Sequence, residues 1–410
     1  MFNAISSMKR NSIFAVILIA CMFPSCDEDN PIPDNLAQIR PLTQQEKTLL
    51  NSSNSFSFEL LRMLDDQDPG KNIFFSPIGL GNGIGMSINI IESKPKQELK
   101  KFLRITDVDD IQIDRAYYQL SEILGKMDRT ISITGGNSLW VNNQYAITEL
   151  AGDKLMAYYK AQVDFLNFNN ENAVKTVNRW ASNSTTGKMS KVISEINPHD
   201  RAYIINTMHF DISNALPVEE IRSSDYRFID PDGKSLRCDA LQLLVNPTRY
   251  NFVNGTSIVD VPLGTGKFHM ILVMPPDPQQ FRDLIATITP TLLKQYLKGA
   301  VSSDRPVIMP ALNLNKEIRL KKIFPQLGIT EPISTVKYYF NNREIFISDF
   351  IHKSSITLGS SLKEHNISTP ADDSAQVDFL SINRPFLFII MEEYTGGIIF
   401  NGIITNPLAE

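Results

Sequence analysis

The sequence contains few cysteines. Its 410 residues include three, Cys21, Cys26 and Cys238, and the first two lie close to the N-terminus. Only Cys238 therefore belongs to the folded part, so a framework of intramolecular disulfides is excluded. Stability must come from an apolar core, for which a hydrophobic content of 42% is sufficient. A lone cysteine in an apolar stretch is typical of a small core residue, and we interpret Cys238 in that way.

Motifs of enzymes and metal sites are scarce as well. The five histidines are scattered, with no His-x-x-x-His spacing and no adjoining cysteine pair, so no metal centre is predicted. No Gly-x-Ser-x-Gly turn occurs. The alternating Gly79, Gly81, Gly83 and Gly85 lack the Gly-Lys-Ser/Thr ending of a phosphate loop, and we interpret them as sites of close helix packing. We therefore predict a protein that is not an enzyme and needs no cofactor.

The chain has no large excess of charge of one sign. Its formal net charge is -5 and its basic residues form no block, so nucleic acid is not expected as a partner. The apolar run at residues 13–23 follows a basic pair and is too short to span a bilayer, which is typical of an export signal. We therefore divide the chain into a signal peptide with a lipobox (1–26), a flexible tether (27–41) and one folded domain (42–410).

Two cysteines follow the apolar run in contexts that resemble a bacterial lipobox, namely Leu18-Ile19-Ala20 before Cys21 and Phe23-Pro24-Ser25 before Cys26. We favour Cys26 as the lipidated residue, because three acidic residues follow it, as in the export tags of surface lipoproteins. A diacylated cysteine anchors a protein stably. We expect an exported protein that contacts the membrane only through this anchor, at the cell surface or outer membrane. A plain cleaved signal, which would yield a secreted protein, is the alternative.

Helical patterns lie early in the domain and strand patterns late. Thr43 with Glu46 forms a capping box that predicts the start of a helix, a second helical pattern covers residues 58–64, and residues 96–103 continue the helical character. Residues 131–141 form one strand pattern. Two hairpins follow, residues 258–263 with 268–274 and residues 386–391 with 398–404, and their nearly continuous apolar residues predict burial on both faces. This order indicates a mixed α+β domain.

A series of motifs resembles the serpin family. Residues 72–77, Asn-Ile-Phe-Phe-Ser-Pro, are similar to its N-terminal signature. The other matching positions are Asn178, Trp180, Thr185, Gly187, Lys188, Pro310 and residues 137–141, 206–210, 261–262, 270–275, 327–329, 352–353, 384–386, 400–402 and 406–407. The resemblance spans residues 42–408. Each motif alone is weak, but their order and spacing together are specific.

Membership of this family implies three β-sheets with eight or nine helices, a metastable native state and an exposed reactive-centre loop. The loop baits a protease, and after cleavage it enters the central sheet as a new strand and carries the attached enzyme with it. Here the loop corresponds to residues 360–378, and the implied partner is a serine or cysteine protease. Counting from the hinge places the bait residue at Gln376, whereas counting back from Pro385 places it at Ser374. The bait region is therefore Asp373, Ser374, Ala375 and Gln376.

The hinge of this loop departs from the inhibitory pattern. Inhibitory serpins carry Glu, Gly and Thr at the positions occupied here by Ser360, Leu362 and Lys363. Leu362 lacks the φ freedom that a glycine hinge provides. A second departure is Asn214, which stands where the family has a tryptophan near the point at which the loop enters the sheet.

Burial of the inserted loop would also be unfavourable. Alternate side chains of a central strand face the core, and in the aligned register these are Lys363, His365, Ile367, Thr369, Ala371 and Asp373. Burying an unpaired lysine costs several kcal/mol. A register shifted by one residue instead buries Leu362, Glu364, Asn366 and Ser368. Pro370 cannot donate a ladder hydrogen bond in either register.

Two functions therefore remain open. In the first, the protein is a suicide-substrate inhibitor of an extracellular serine or cysteine protease. In the second, it keeps the fold without inhibition and acts as a surface binding module through the loop or another face. We expect a monomer in both cases.

Overall fold

The computed structural model describes residues 40–91, 93–212, 215–216, 218–221, 226–245, 247–326, 338–340, 343–358 and 379–409. Contacts divide the chain after residue 38, and everything described below belongs to the second unit, residues 39–410. The predicted export signal with Cys26, most of the tether and the loop at 360–378 lie outside the described residues.

Most helices of the described chain lie before residue 200 and most strands lie after it, in agreement with the predicted mixed α+β fold. The helices are α1 (Gln44–Gln67), α2 (Pro77–Ile90), α3 (Ser93–Phe102), α4 (Asp110–Leu124), α5 (Glu149–Tyr159), α6 (Asn172–Ser184), α7 (Phe281–Thr287), α8 (Pro290–Lys298) and α9 (Leu320–Ile323). Within the described residues, every helix is too short or too polar to cross a membrane.

Three sheets of four or more strands organise the described residues, with strands numbered in chain order. The five-stranded sheet has the order β14 (Leu312–Arg319), β17 (Ile347–Leu358), β4 (Ala202–Asp211), β2 (Ser132–Asn142), β3 (Gln162–Leu166). The seven-stranded sheet has the order β1 (Ile73–Phe75), β20 (Ile398–Ile404), β19 (Phe386–Glu392), β11 (Phe268–Met274), β10 (Thr256–Leu263), β9 (Thr248–Val253), β12 (Val301–Ser303). The four-stranded sheet has the order β18 (Leu380–Ser381), β13 (Val307–Pro310), β8 (Ala240–Leu243), β5 (Val218–Ile221).

Two small hairpins complete the described strands. They are β6 (Arg227–Ile229) with β7 (Ser235–Arg237), and β15 (Tyr338–Phe340) with β16 (Arg343–Ile345).

The predicted capping box starts α1. The Thr43 hydroxyl accepts a hydrogen bond from the Glu46 amide (3.2 Å), and the Glu46 carboxylate accepts one from the Thr43 amide (2.8 Å). This reciprocal pair satisfies two backbone donors that a helix start leaves unpaired. The second helical pattern, at residues 58–64, was predicted as a separate element, but it belongs to the same 24-residue helix. The residues between the two patterns, 51–55, are asparagines and serines, which favour turns. Within the helix, Ser52 and Asn54 are buried and donate hydrogen bonds to the carbonyls of Leu103 and Gly396.

Both predicted hairpins are present. Strands β10 and β11 pair in register from Leu263 opposite Phe268, and β19 pairs with β20 across a register shift after Ile390. All residues of β11 and β20 are buried, in agreement with their continuous apolar sequence. The turn after β19 is held by the Glu392 carboxylate, which accepts hydrogen bonds from the amides of Tyr394 and Thr395.

Helix α2 lies buried against the five-stranded sheet, and its glycines make this approach feasible. A Cβ atom on Gly83 would collide with the ring of Phe350 on β17. A Cβ atom on Gly79 would lie 2.5 Å from the side-chain oxygen of Asn206 on β4. The interpretation of the alternating glycines as sites of close helix packing is therefore confirmed. The opposite face of the same sheet packs against α6 through a cluster that includes Trp140 and Ala181.

Substitution of two helical glycines tests this packing. We expect Gly83→Ala to lower the free energy of unfolding by about 1–3 kcal/mol, because the added methyl group must displace the buried Phe350 ring. Gly152→Ala on α5 is the matched control, since its added Cβ would meet nothing closer than 3.6 Å. Alanine favours a helix by about 1 kcal/mol over glycine, so the control should be neutral or stabilised. Urea denaturation measures both, and equal effects of the two substitutions would contradict the packing argument.

Candidate functional site

The candidate site is the line along which β4 and β17 meet, called the seam below. These two strands are parallel neighbours with ten paired positions, from Ala202 opposite Ile347 to Asp211 opposite Thr357. Each is flanked on its other side by an antiparallel partner, β2 or β14. A strand that entered the seam antiparallel to both would therefore meet backbone donors and acceptors on either side.

A buried histidine joins the two strands on the α2 face of the seam. Nδ1 of His352 lies 2.7 Å from the side-chain oxygen of Asn206, its register partner on β4. Nε2 of His352 accepts a hydrogen bond from the Ser76 amide at 3.0 Å, at the start of α2. Because the amide can only donate, Nε2 must be unprotonated and Nδ1 must carry the proton that Asn206 accepts.

The hydrogen bonds continue from Asn206 across the sheet. Its amide nitrogen donates to the side-chain oxygen of Asn137 on β2 at 2.7 Å, and Asn137 in turn donates to the Tyr159 carbonyl at 2.9 Å. This asparagine relay, from the Ser76 amide through His352, Asn206 and Asn137 to Tyr159, connects α2, the seam, β2 and the end of α5. Buried polar networks of this kind specify one strand alignment, because any other alignment leaves polar groups unpaired.

Burial determines the protonation state of His352. The side chain is fully buried, and burial lowers its pKa to about 3. The imidazole is therefore neutral throughout the physiological range of pH, in agreement with the acceptor role of Nε2. The closed seam thus depends on a neutral histidine.

Helix α6 covers the other face of the seam, and the matching residues of the family motif explain how it is held. The Asn178 side-chain oxygen accepts hydrogen bonds from the amides of Val192 and Ile193, and its nitrogen donates to the Ile193 carbonyl. The Thr185 hydroxyl donates to the Ala181 carbonyl and accepts from the Met189 amide. The motif therefore attaches the segment after α6 to the helix itself.

The predicted loop residues do not lie among the described residues, but the strands on both sides of the loop do. The hinge positions Ser360, Leu362 and Lys363, the bait positions 373–376, and Asn214 are all outside the description. Strand β17 ends at Leu358 in the five-stranded sheet, and the described residues resume at Phe379, directly before β18 in the four-stranded sheet. The loop therefore leaves from the seam itself.

Two other residues can be placed. Cys238 is buried and its pKa is raised to about 11, first by burial, so the thiol stays protonated and the core interpretation is confirmed. His209 was not singled out from the sequence, although it lies in the seam and is buried. The sequence shows that Thr207, His209 and Asp211 alternate along β4, but this alternation does not identify the partner of His209.

These features define a class of protein with three main sheets, in which a central sheet contains a parallel pair of strands that is flanked by antiparallel neighbours. The sequence pattern of the serpin (serine protease inhibitor) family matches residues 51–407. Because this match covers most of the chain, the chain belongs to the serpin family. The three main sheets and the nine helices within the described residues agree with the fold expected from the motifs.

Individual relatives are distant. A serpin-like protein of Thermococcus kodakarensis is 21% identical over 379 residues, which cover 88% of this chain and 87% of that protein. Heparin cofactor 2 of Oryctolagus cuniculus is 24% identical over 401 residues, which cover 89% of this chain and 78% of that protein.

Solved structures show the same fold in proteins of different description. Native protease nexin-1 with heparin superposes with a TM-score of 0.74 at 19% identity, covering 88% of this chain and all of that one. The complex of human thyroxine-binding globulin gives a TM-score of 0.75 at 19% identity, covering 89% of this chain and all of that one. At these identities the likeness concerns the fold alone.

Removal of the relay's central side chain tests its contribution. We expect Asn206→Ala to lower the free energy of unfolding by about 2–4 kcal/mol, because it removes the partner of the Nδ1 proton of His352 and the donor to the side-chain oxygen of Asn137 in a buried site. Asn313→Ala on β14 is the control, since that side chain is exposed and should change stability by less than about 0.5 kcal/mol. Thermal and urea unfolding measure both, and a loss no larger than the control's would disprove the role assigned to the relay.

Proposed function

We propose that the protein presents the loop at residues 360–378 as bait to an extracellular serine or cysteine protease and takes the cleaved loop into the seam as a sixth strand. The observation that carries this proposal is the direct continuation of β17, one side of the parallel seam, into that loop. A chain that reverses direction after Leu358 runs antiparallel to β17 and to β4 at once. It therefore has the direction that hydrogen bonding on both sides requires.

The length of the loop supports the same proposal. The fourteen residues 359–372, which lie between β17 and the expected bait region, outnumber the twelve residues of β17. At about 3.3 Å per residue, a segment of that length spans the whole strand and leaves residues for the turn. Cleavage near Ser374 or Gln376 would therefore release enough chain to fill the seam.

The chemical step belongs to the protease. Its catalytic oxygen or sulfur attacks the carbonyl carbon of the bait residue, the peptide C–N bond breaks, and the amine of the next residue leaves with a proton from the enzyme's catalytic acid. The bait residue then remains joined to the enzyme as an ester or thioester. Trapping requires that insertion be faster than hydrolysis of this bond.

The hinge residues favour a second candidate function, a non-inhibitory binding module. Leu362 and Lys363 would have to turn and enter the seam first, and neither suits a buried hinge. If insertion is slow, the protease hydrolyses the acyl bond and leaves with the loop cut. The fold accommodates such a role, since a structural neighbour is described as a thyroxine-binding globulin.

A panel of extracellular serine and cysteine proteases distinguishes the two functions. For a trap, we expect a complex with the mature chain that survives SDS, and a large rise in melting temperature after the loop is cut, because insertion adds a strand. A protease without its catalytic nucleophile should give no such complex. Cleavage of the loop with neither result would refute the trap and favour the binding module.

The same experiment with a repaired hinge tests the diagnosis of Leu362 and Lys363. We expect Leu362→Gly with Lys363→Thr to increase the fraction of protease trapped and the rise in melting temperature after cleavage, since both obstacles to insertion are removed. Lys234→Thr, at an exposed turn outside the loop, is the matched control. Equal yields from the repaired and control variants would show that the hinge is not what limits insertion.

We also propose that the protein is exported and anchored by a lipid on Cys26, with Cys21 as the alternative residue and secretion after simple cleavage as the alternative fate. The acidic residues that follow Cys26 support this choice. In bacterial cells that express the full chain, labelling with a fatty-acid analogue should be lost in Cys26→Ser and retained in Cys21→Ser. The reverse result would move the anchor to Cys21, and no labelling in the unaltered chain would favour secretion.

A further inference from the structure

A second histidine crosses the seam on the face opposite to His352. Nδ1 of His209 on β4 lies 2.8 Å from the hydroxyl of Ser355, its register partner on β17. His352 therefore bridges the strands on the α2 face, and His209 bridges them on the α6 face. Both side chains are buried. Parting of the strands would break both bridges and bring both rings into water.

The surroundings of His209 disfavour its protonated form. Burial lowers its pKa, and the nearby Lys188 ammonium lowers it further, against a smaller opposing effect of Asp211 on its own strand. Nε2 is buried and has no hydrogen-bond partner, and the facing hydroxyl of Thr134 on β2 is also unpartnered. The neighbouring Lys353 of β17 donates to the Lys191 carbonyl. A second proton on the ring would add a positive charge beside a lysine.

His352 disfavours protonation for a different reason. Nε2 already accepts a hydrogen bond from the Ser76 amide. A proton on this nitrogen would face the amide proton, so the bond would become a repulsion. The other groups around the ring, the Asn206 side chain and the backbone at Gly79, carry no charge that could stabilise an imidazolium.

Acid therefore weakens the closed seam. Both pKa values are lower in the closed sheet than the ordinary 6.5, so both histidines stabilise the seam when the pH is above 6.5. This contribution is lost as the pH falls below 6.5, and for His352 the loss continues down to about pH 3.

A third buried histidine behaves in the opposite way in the seven-stranded sheet. Nδ1 of His269 lies 2.6 Å from Asp260, which also pairs with Arg249, and Nε2 lies 3.2 Å from Glu393. Burial alone would lower the pKa of His269, but the two carboxylates outweigh burial and raise it. Its protonation therefore strengthens the contact between β10, β11 and the turn after β19, so acid does not loosen this sheet through His269.

We propose that the seam is an acid-operated latch, in which mild acid releases β4 from β17 while the seven-stranded sheet stays closed, so that strand entry is favoured at acidic pH. As a mechanism that regulates strand entry, the latch rests on the function proposed above. The acid-dependent parting of the two strands is a property of the protein alone.

Hydrogen exchange of the unmodified mature chain, without any protease, tests the latch. The opening constants of amides in residues 202–211 and 347–358 are compared at pH 7 and pH 5 after correction for intrinsic exchange rates. If opening returns His352 alone to a pKa of 6.5, linkage predicts an increase of about 25-fold. Because His209 adds to this, we expect the unaltered chain to exceed that value. Amides of residues 268–274 should not follow the increase.

Variants separate the two histidines. His209→Asn keeps a partner for the Ser355 hydroxyl but cannot titrate, so the increase should fall back to about 25-fold. His199→Asn, at an exposed loop position, should behave like the unaltered chain. A pH-independent opening constant in the unaltered chain, or an equal increase in residues 268–274, would overturn the proposal even if no variant folded. An unchanged increase in His209→Asn would remove that residue from the latch.

Failure of this proposal is distinct from failure of the proposed function. Exchange at the seam is measured without a protease, whereas trapping is measured as an SDS-stable complex. If the protein traps a protease but its seam opens independently of pH, only the latch is refuted. An acid-sensitive seam in a protein that traps no protease would refute only the inhibitory function.

Discussion

The parallel pairing of β4 with β17 is the constraint on which the rest of the structure depends. Each strand has an antiparallel neighbour on its outer side, and the two meet each other through polar side chains that are buried on both faces of the sheet. His352 and Asn206 close one face, and His209 and Ser355 close the other. The surrounding elements are arranged so that these bonds form in the absence of water.

The helices on either side serve this arrangement in different ways. Helix α2 supplies the Ser76 amide that sets the tautomer of His352, and its glycines allow the backbone to come close enough to do so. Helix α6 excludes water from the other face and is attached to its following segment by Asn178. A seam built from hydrogen bonds between neutral side chains opens at lower cost than an apolar one, since the parted groups regain partners in water or in an entering strand.

Much of the fold could be predicted from local patterns. The capping box at Thr43, the two apolar hairpins and the packing role of the glycines in α2 all follow from spacing and residue type, and the structure confirms them. The division of α1 into two helices was wrong because the asparagines and serines at 51–55, which favour turns, are bonded in the helix to partners that are remote in sequence. His209 was missed because its importance lies in a partner, Ser355, that is far away along the chain.

The sequence by itself determined where α1 starts and which strands form the two apolar hairpins, because these depend on neighbours in the chain. It also determined the family, through the order and spacing of its motifs. Only the tertiary structure decided that β4 lies beside β17, that His352 is neutral, and that histidines of the seam and of the seven-stranded sheet respond to acid in opposite directions. Strand neighbours, burial and nearby charge depend on residues that are remote in sequence, and they decide both the alignment of the seam and its protonation.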